Sequence, residues 1–91
     1  MIKSVGDRET ARVFARERSP RLPPDIQQLA YRKLRMLHNA QNLIDLRVPP
    51  GNHLEKLSGE RVGQHGIRIN QQWRICFVWR EGDAHEVETA S

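Results

Sequence analysis

The segment Val48-Pro49-Pro50-Gly51-Asn52 separates two parts of the chain that differ in hydrophobic periodicity. Two adjacent prolines followed by a glycine fit neither a helix interior nor a strand interior. Before this segment apolar residues recur every three or four positions, as in amphipathic helices, and after it they alternate with polar residues, as in half-buried strands. The sequence therefore predicts an α+β fold in which two N-terminal helices pack on a small antiparallel β-sheet.

The expected elements follow from these periods and from the turn residues between them. A first helix is predicted from Asp7 to Arg18, where Pro20 stops it, and a second opens at Pro23-Pro24-Asp25, followed by a helical turn over residues 42–47. The expected strands are Leu54 to Leu57, His65 to Asn70, Trp73 to Arg80, and Ala84 to about Thr89. Since domains cluster around ~100 to 150 residues, we expect one domain, 1–91, with a helical part (1–47) and a sheet part (53–91).

Each helix is expected to bury one side. In the first helix the residues at the right spacing are Ala11, Phe14 and Ala15. In the second they are Ile26, Leu29, Ala30, Leu34 and Leu37. Arg32, Lys33 and Arg35 lie on the opposite side of the second helix, which we interpret as a solvated face.

Positive charge is concentrated in the body of the chain. The net charge is +4, and residues 1–80 contain all 15 Lys and Arg against seven acids, while residues 81–91 contain four acids and no Lys or Arg. A basic body favours RNA or an acidic protein as a partner, although the same excess of charge also serves solubility.

Several other classes of protein are disfavoured. No stretch approaches the ~20 apolar residues of a membrane span, and Met1-Ile2-Lys3-Ser4 lacks the apolar core of a secretory signal, so we expect a cytoplasmic protein with no membrane partner. Cys76 is the only cysteine and lies in a strand-like run, so we interpret it as a buried, inert thiol. There is no glycine-rich phosphate loop and no metal-ligand spacing, so we expect no cofactor and no metal.

Alternation in the two longer strands sorts their residues onto two faces. Those expected to face the helices are Ile67, Ile69, Ile75, Phe77 and Trp79. Those expected to face outward are Arg68, Asn70, Arg74, Cys76, Val78 and Arg80. Arg68, Arg74 and Arg80 would then share one open face. Because the apolar Val78 belongs to the same face, we expect a loop, the chain end or a partner to cover part of it. Such a face suits phosphodiester cleavage, since arginine offers fixed donors to phosphate oxygens; the alternative is a set of ordinary surface arginines.

Cleavage of RNA by its 2′-hydroxyl also needs a base and an acid. The candidates for proton transfer are His53, His65, His85 and Glu55. A single histidine is, however, more often a surface or turn residue than a catalyst. Lys56, Arg61 and His53 flank the first strand and turn, where they are candidates for binding backbone phosphates or are ordinary charged turn residues.

The segment PPGNHLEKLSGERVGQHGIRINQQWRICFVW, together with the opening MIKS and the helix RKLRMLHNA, closely resembles HigB-type toxins of the RelE/ParE superfamily. The likeness covers about nine-tenths of the chain and rests on an L-x-x-L-x-G-x-R-x-G core followed by I-R-I-N-x-Q-W-R. It implies the same fold and a ribosome-dependent endoribonuclease that cuts translated mRNA in the ribosomal A site. It also implies a toxin–antitoxin hetero-oligomer with a cognate HigA-type helix-turn-helix antitoxin.

The resemblance also implies roles for individual residues. Arg74 matches the arginine of the W-R-I motif, which is assigned to the scissile phosphate, and Glu55, Lys56 and Arg61 match the loop region that helps form the site. We therefore predict as catalytic residues Arg74, Glu55 and Lys56. We predict as RNA-binding residues His53, Arg61, His65, Arg68 and Arg80.

The chain departs from the family pattern at its last residues. Members usually finish this strand with V-E-I-x-D-Y-H, whose Tyr and His are held to act in the active site, whereas this chain reads Val87-Glu88-Thr89-Ala90-Ser91. Gly66 and His53 also replace a usual serine and a usual arginine. We expect a toxin with an altered or truncated terminus that folds and binds its antitoxin but cleaves weakly; the alternative is that His53, His65 or Glu55 substitutes.

Two other functions stay open at this stage. One is a non-enzymatic, ParE-like toxin directed at DNA gyrase, and the other is a small RNA-binding adaptor without toxicity. The fold alone does not separate these functions from mRNA cleavage.

Overall fold

The computed structural model describes residues 1–91 and confirms the predicted α+β fold. Two helices pack on one face of a four-stranded antiparallel sheet, whose strands lie in chain order. The helices are α1 (Arg8–Phe14) and α2 (Pro24–Asn39), and the strands are β1 (Glu55–Lys56), β2 (His65–Arg68), β3 (Arg74–Arg80) and β4 (Asp83–Ala90). Single turns of 3-10 helix cover Leu43–Arg47, Pro50–Asn52 and Gly59–Arg61. No helix has both the length and the apolar composition needed to cross a membrane.

Helix α1 starts where the sequence predicts but ends earlier. Asp7 caps its first turn, because the Asp7 carboxylate accepts a hydrogen bond from the backbone N–H of Thr10 at 3.1 Å. Arg16 has a left-handed backbone (φ 62°), so the helix stops before it reaches Arg18.

The buried side of α1 differs from the prediction. Ala11 and Ala15 are exposed, and Thr10 and Val13 face the interior instead. A threonine is tolerated there because its hydroxyl lies 2.8 Å from the hydroxyl of Thr89 in β4, so the polar atoms satisfy each other. The hydrophobic pattern of a helix this short was too weak to reveal that partner.

Helix α2 begins at Pro24, as predicted, and follows the predicted stripe closely. The stripe residues that are fully enclosed are Ile26, Ala30, Leu34 and Leu37. The assignment of Lys33 to the solvated face was wrong, because Lys33 is 9% exposed and its ammonium donates a hydrogen bond to the Asn52 side-chain oxygen at 2.5 Å. Arg32 and Arg35 are exposed, as expected.

The core lies between the helices and the inner face of the sheet. The sheet residues with no exposed surface on this side are Ile67, Ile75, Phe77, Ala84 and Val87. In β4, Ala84 and Val87 both face inward although simple alternation would separate them. A bulge at Glu86 (φ 52°) adds one residue to the strand and shifts its phase, so that Glu88 faces outward.

The N-terminal residues cover one edge of the sheet, a feature that the sequence did not reveal. Ile2 pairs with Ala84 and Val5 with Val87, both in parallel orientation. This pairing protects the free edge of β4 and leaves the two-residue strand β1 as the other edge. Because the paired segments lie at opposite ends of the chain, no local pattern marks the contact.

Candidate active site

Arg68 of β2 and Arg74 of β3 stand directly opposite each other on the outer face of the sheet. Opposed residues in an antiparallel pair have Cα atoms about 5 Å apart, so the two side chains emerge next to each other. Like charges in this arrangement destabilise a sheet unless an anion is nearby. The two arginines therefore form a position suited to an anion at one end of the sheet.

Glu55 is the carboxylate at this position. Strand β1 pairs Glu55 with Gly66, and the Glu55 Oε1 atom lies 3.6 Å from Arg74 Nη1. Both side chains are partly exposed, so the contact adds little to stability. Arg68 takes part in none of the ion pairs of the protein, so two guanidinium side chains share this position with one carboxylate side chain.

Glu55, Arg68 and Arg74 line a cleft of about 250 Å³. The turn that joins β2 to β3 forms another wall, and Ser91 also lines the cleft. Within that turn, the Asn70 side-chain oxygen accepts hydrogen bonds from the backbone N–H groups of the two residues before β3, at 2.8 and 2.7 Å. The part played by this turn was not predicted from the sequence, although an Asn-Gln-Gln run between two strands that carry arginines is a pattern that could have indicated a polar wall of the site.

The guanidinium of Arg74 has unused donor capacity. Its Nε atom is buried and has no hydrogen-bond partner. The thiol of Cys76 lies beside the guanidinium but is a weak acceptor. Phosphate oxygens are strong acceptors for such a group, so Arg74 is suited to bind one.

The middle of the outer face is covered rather than open. Leu57 packs so closely over Gly66 that a Cβ atom there would lie 3.3 Å from the Leu57 side chain. Cys76, the neighbour of Gly66 in β3, is fully buried as predicted. Burial raises the pKa of the Cys76 thiol, and the nearby cations of Arg61 and Arg74 oppose that rise.

Arg61 stands at the border of this covered region. Its Nη1 atom lies 3.2 Å from the Glu88 carboxylate and 3.1 Å from the side-chain oxygen of Gln64. An RNA phosphate would have to replace those partners. Arg61 thus helps to hold the loop after β1 against β4, whatever its contribution to RNA binding.

Lys56 and His65 are not among the residues that line this cleft. They oppose each other in the β1–β2 pair and line a separate groove of about 420 Å³ together with apolar residues such as Leu43. The His65 ring stacks on Phe77, with 6.2 Å between ring centroids. Burial, together with the nearby Lys56 cation, lowers the pKa of His65 and so favours the neutral imidazole.

His53 and Arg80 are both exposed and lie outside the lining of the cleft. His53 has a left-handed backbone (φ 45°) and precedes β1. Arg80 ends β3, about 20 Å along the strand from Arg74. The expectation of one open face shared by three arginines is therefore corrected: Arg68 and Arg74 form a pair, and Arg80 stands apart beyond the covered middle.

The remaining surface offers no comparable arrangement of predicted residues. A hollow of about 540 Å³ lies against the two helices, where Arg16 stacks over the Tyr31 ring at 4.6 Å, but none of the predicted site residues lines it. No group of three or more His, Cys, Asp or Glu residues is arranged to hold a metal ion.

Comparisons with known proteins identify the family of this chain. Residues 3–89 match the family model of the HigB-like toxin, described as the RelE-like toxin of type II toxin-antitoxin system HigB. The chain is 44% identical over 63 residues to Toxin HigB-1 of Vibrio cholerae serotype O1, an alignment that covers 69% of this chain and 66% of that protein. It is 31% identical over 67 residues to an uncharacterized protein of Haemophilus influenzae, which covers 74% of this chain and 66% of the relative.

The chain thus spans just under two thirds of the length of each relative. The family model, in contrast, matches nearly all of the chain. The protein therefore belongs to the HigB-like family of RelE-like toxins of type II toxin–antitoxin systems.

Proposed function

We propose that this protein is a ribosome-dependent endoribonuclease that cuts translated mRNA and so inhibits translation. The observation that carries the proposal is the pair of opposed arginines with a single carboxylate in one cleft, on a chain of the HigB-like family. Closely opposed guanidinium groups are suited to a phosphodiester, whose nonbridging oxygens gain charge during cleavage.

In the proposed reaction, Arg74 and Arg68 bind the scissile phosphate and Glu55 accepts the proton of the attacking 2′-hydroxyl. The 2′ oxygen forms a bond to phosphorus while the bond from phosphorus to the 5′ oxygen breaks. The leaving 5′ oxygen takes its proton from solvent, because no histidine or tyrosine lines the cleft. A missing general acid lowers the rate by ~10²–10⁴, so we expect firm binding with slow cleavage.

The other predicted site residues have different roles in this proposal. Lys56, which the sequence predicted as catalytic, does not line the cleft and is proposed to bind RNA instead. Lys56 and His65 line the groove beside Glu55, where they are placed to bind a neighbouring stretch of the RNA backbone. His53, Arg61 and Arg80 are proposed to contact RNA outside the cleft. Their substitution is expected to weaken binding without changing the cleavage step.

The proposed partners are the ribosome with its mRNA and a cognate HigA-type helix-turn-helix antitoxin that forms a hetero-oligomer with the toxin. With these partners, the proposal includes a cytoplasmic location. A gyrase-directed, ParE-like function and a non-toxic RNA-binding adaptor have no observation in their favour.

The proposal is tested by inducing the protein in cells and mapping the 5′ ends of translated mRNA. Arg74→Ala should lose ~2–4 kcal/mol of transition-state stabilisation, whereas Arg32→Ala, an equal loss of charge on the exposed side of α2, should cleave like the parent. If Arg74→Ala cleaves as well as its parent, the role of Arg74 is refuted. Gyrase trapped on cleaved DNA, without mRNA cuts, would favour the ParE-like alternative.

A second construction tests the role of the chain end. Ser91 lines the cleft, so residues added after it enter or border the site. Extension of the chain with Tyr-His should raise cleavage and growth arrest sharply, because it supplies groups able to protonate the 5′ oxygen. Unchanged growth arrest would show that proton supply does not limit the reaction.

A further inference from the structure

Lys33 and Asn52 form a buried polar contact outside the candidate active site. The Lys33 ammonium donates to the Asn52 side-chain oxygen at 2.5 Å, and Asn52 has no exposed surface. Lys33 has no carboxylate partner, since it takes part in none of the ion pairs of the protein. A charged group is thus buried in α2 with a neutral amide as its acceptor.

The charge in this contact is costly to bury. Burial lowers the pKa of Lys33, so enclosing the charged form costs free energy that one hydrogen bond to an amide does not fully offset. Residues that break a folding rule in this way are often retained for function.

Asn52 organises the segment that leads into β1. Its side-chain nitrogen donates to the backbone oxygens of Leu46 at 3.1 Å and Val48 at 3.4 Å, and its backbone N–H donates to the oxygen of Pro49 at 2.9 Å. One buried side chain therefore ties together the two 3-10 turns before the sheet, and Lys33 ties that side chain to α2.

Strand β1 is short, and its other anchors are the pairing with β2 and the packing of Leu57 over Gly66. It contains only Glu55 and Lys56, and it is an edge strand that pairs on one side alone. The Glu55 contact to Arg74 is 3.6 Å long and partly exposed, so it does not hold the strand by itself. The position of Glu55 therefore depends in part on the segment that ends at Asn52, three residues earlier.

We propose that Lys33 and Asn52 are positioning residues that set the placement of Glu55 opposite Arg74. The catalytic consequence rests on the proposed function, whereas the structural consequence does not. A displacement of about 1 Å in a reacting group lowers a rate by roughly 10²-fold, so a distant contact of this kind has a measurable effect on cleavage.

The first test measures structure without activity. Lys33→Met removes the ammonium and keeps the length of the side chain, and Arg32→Met, one residue earlier and exposed, is the matched control. By NMR, Lys33→Met should speed amide hydrogen exchange about tenfold at Asn52, His53 and Leu57, whose N–H groups are hydrogen-bonded, and leave exchange in β3 unchanged. Equal exchange in Lys33→Met and Arg32→Met would overturn the proposal.

The second test measures the rate of mRNA cleavage on programmed ribosomes. Lys33→Met should cleave roughly 10²-fold more slowly than the parent, but should have no further effect in a Glu55→Gln background, because it acts through Glu55. An equal loss in both backgrounds would show a general structural role and overturn the proposal. A parent that does not cleave mRNA would refute the proposed function, and the exchange measurement would still decide the placement of β1.

Asn52→Asp provides a variant from the other side of the contact. It keeps an acceptor for Lys33 and gives that ammonium a charged partner, but it removes the donor to the Leu46 and Val48 oxygens. We expect a folded protein with faster exchange at His53 and slower cleavage. If both Lys33→Met and Asn52→Asp fail to fold, the contact is structural and the proposal is wrong.

Discussion

The two faces of the sheet arise from the same alternation of residues but are built in different ways. The inner face is uniform, with side chains such as Ile67, Ile75 and Phe77 fully enclosed against the helices. The outer face changes along its length, from an arginine pair at one end, through a covered middle at Cys76, to the isolated Arg80 at the other end. Alternation decides which face a side chain takes, but tertiary contacts decide what that face becomes.

The largest difference between the faces should appear in stability. Phe77→Ala leaves a cavity in the core and should lower the free energy of unfolding by about 3–5 kcal/mol. Arg68→Ala, on the outer face, should lower it by less than about 0.5 kcal/mol, or raise it, because it removes a like-charge contact. Urea unfolding followed by circular dichroism measures both values, and equal losses would show that the outer face also supports the fold.

The covered middle should be intermediate between these extremes. Leu57 packs over Gly66, the neighbour of Cys76 in the sheet, and is 9% exposed, so Leu57→Ala should cost about 2 kcal/mol, the low end of the range for leucine truncation. The same change should expose the Cys76 thiol to a labelling reagent such as a disulfide probe. Val62→Ala, at a residue of the same loop that is 77% exposed, is the control and should change neither quantity.

The sequence predicted the inward-facing residues of β2 and β3 and the outward placement of Arg68 and Arg74, because both depend on local periodicity. The strand positions and the start of α2 followed from spacing, alternation and the prolines, and the burial of Cys76 followed from its place in a strand-like run. The burial of Lys33 could not be predicted in this way, since it depends on Asn52, a partner 19 residues away in the chain. The pairing of Ile2 with Ala84 was not predicted for the same reason, since the two residues lie at opposite ends of the chain.

The candidate site shows the same limit. Arg68 and Arg74 come together because a short turn sets the β2–β3 register, which the sequence nearly specifies. Lys56 lies outside the cleft because it alternates with Glu55 in a strand of only two residues. The ion pair between Arg61 and Glu88 depends on the β4 bulge, which turns Glu88 outward. Neither the register of so short a strand nor the position of a bulge is marked by hydrophobic pattern.

A smaller effect is expected from the ion pair at the border of the covered region. Arg61 Nη1 and Glu88 Oε2 lie 3.2 Å apart, and their side chains are 30% and 36% exposed, so solvent screens the attraction. A double-mutant cycle with Arg61→Gln and Glu88→Gln should give a coupling energy of about 0.5–1 kcal/mol that decreases with added salt. A coupling insensitive to salt would mean that the pair is more enclosed, and the outer face more closed, than its exposure indicates.

The smallest effect is a dependence of stability on pH that arises at His38, where α2 contacts the N-terminal segment. Burial, followed by the cations of Arg35 and the N-terminus, lowers the pKa of His38, and the His38 Nδ1 atom accepts a hydrogen bond from the Ile2 backbone N–H at 3.1 Å. Between the lowered value and the ordinary one of about 6.5, the unfolded chain binds more protons than the folded protein, so stability falls as the pH drops below about 6.5. The pKa of His65 is also lowered, by burial and by Lys56, and contributes in the same direction.

His38→Asn tests this dependence, because the asparagine side-chain oxygen accepts a similar hydrogen bond without titrating. The decline in unfolding temperature from pH 8 to pH 5.5 should be shallower in His38→Asn than in the parent, by the contribution of about one titrating group. An identical decline in both proteins would assign the pH dependence to other groups and would show that the edge of β4 is held independently of His38.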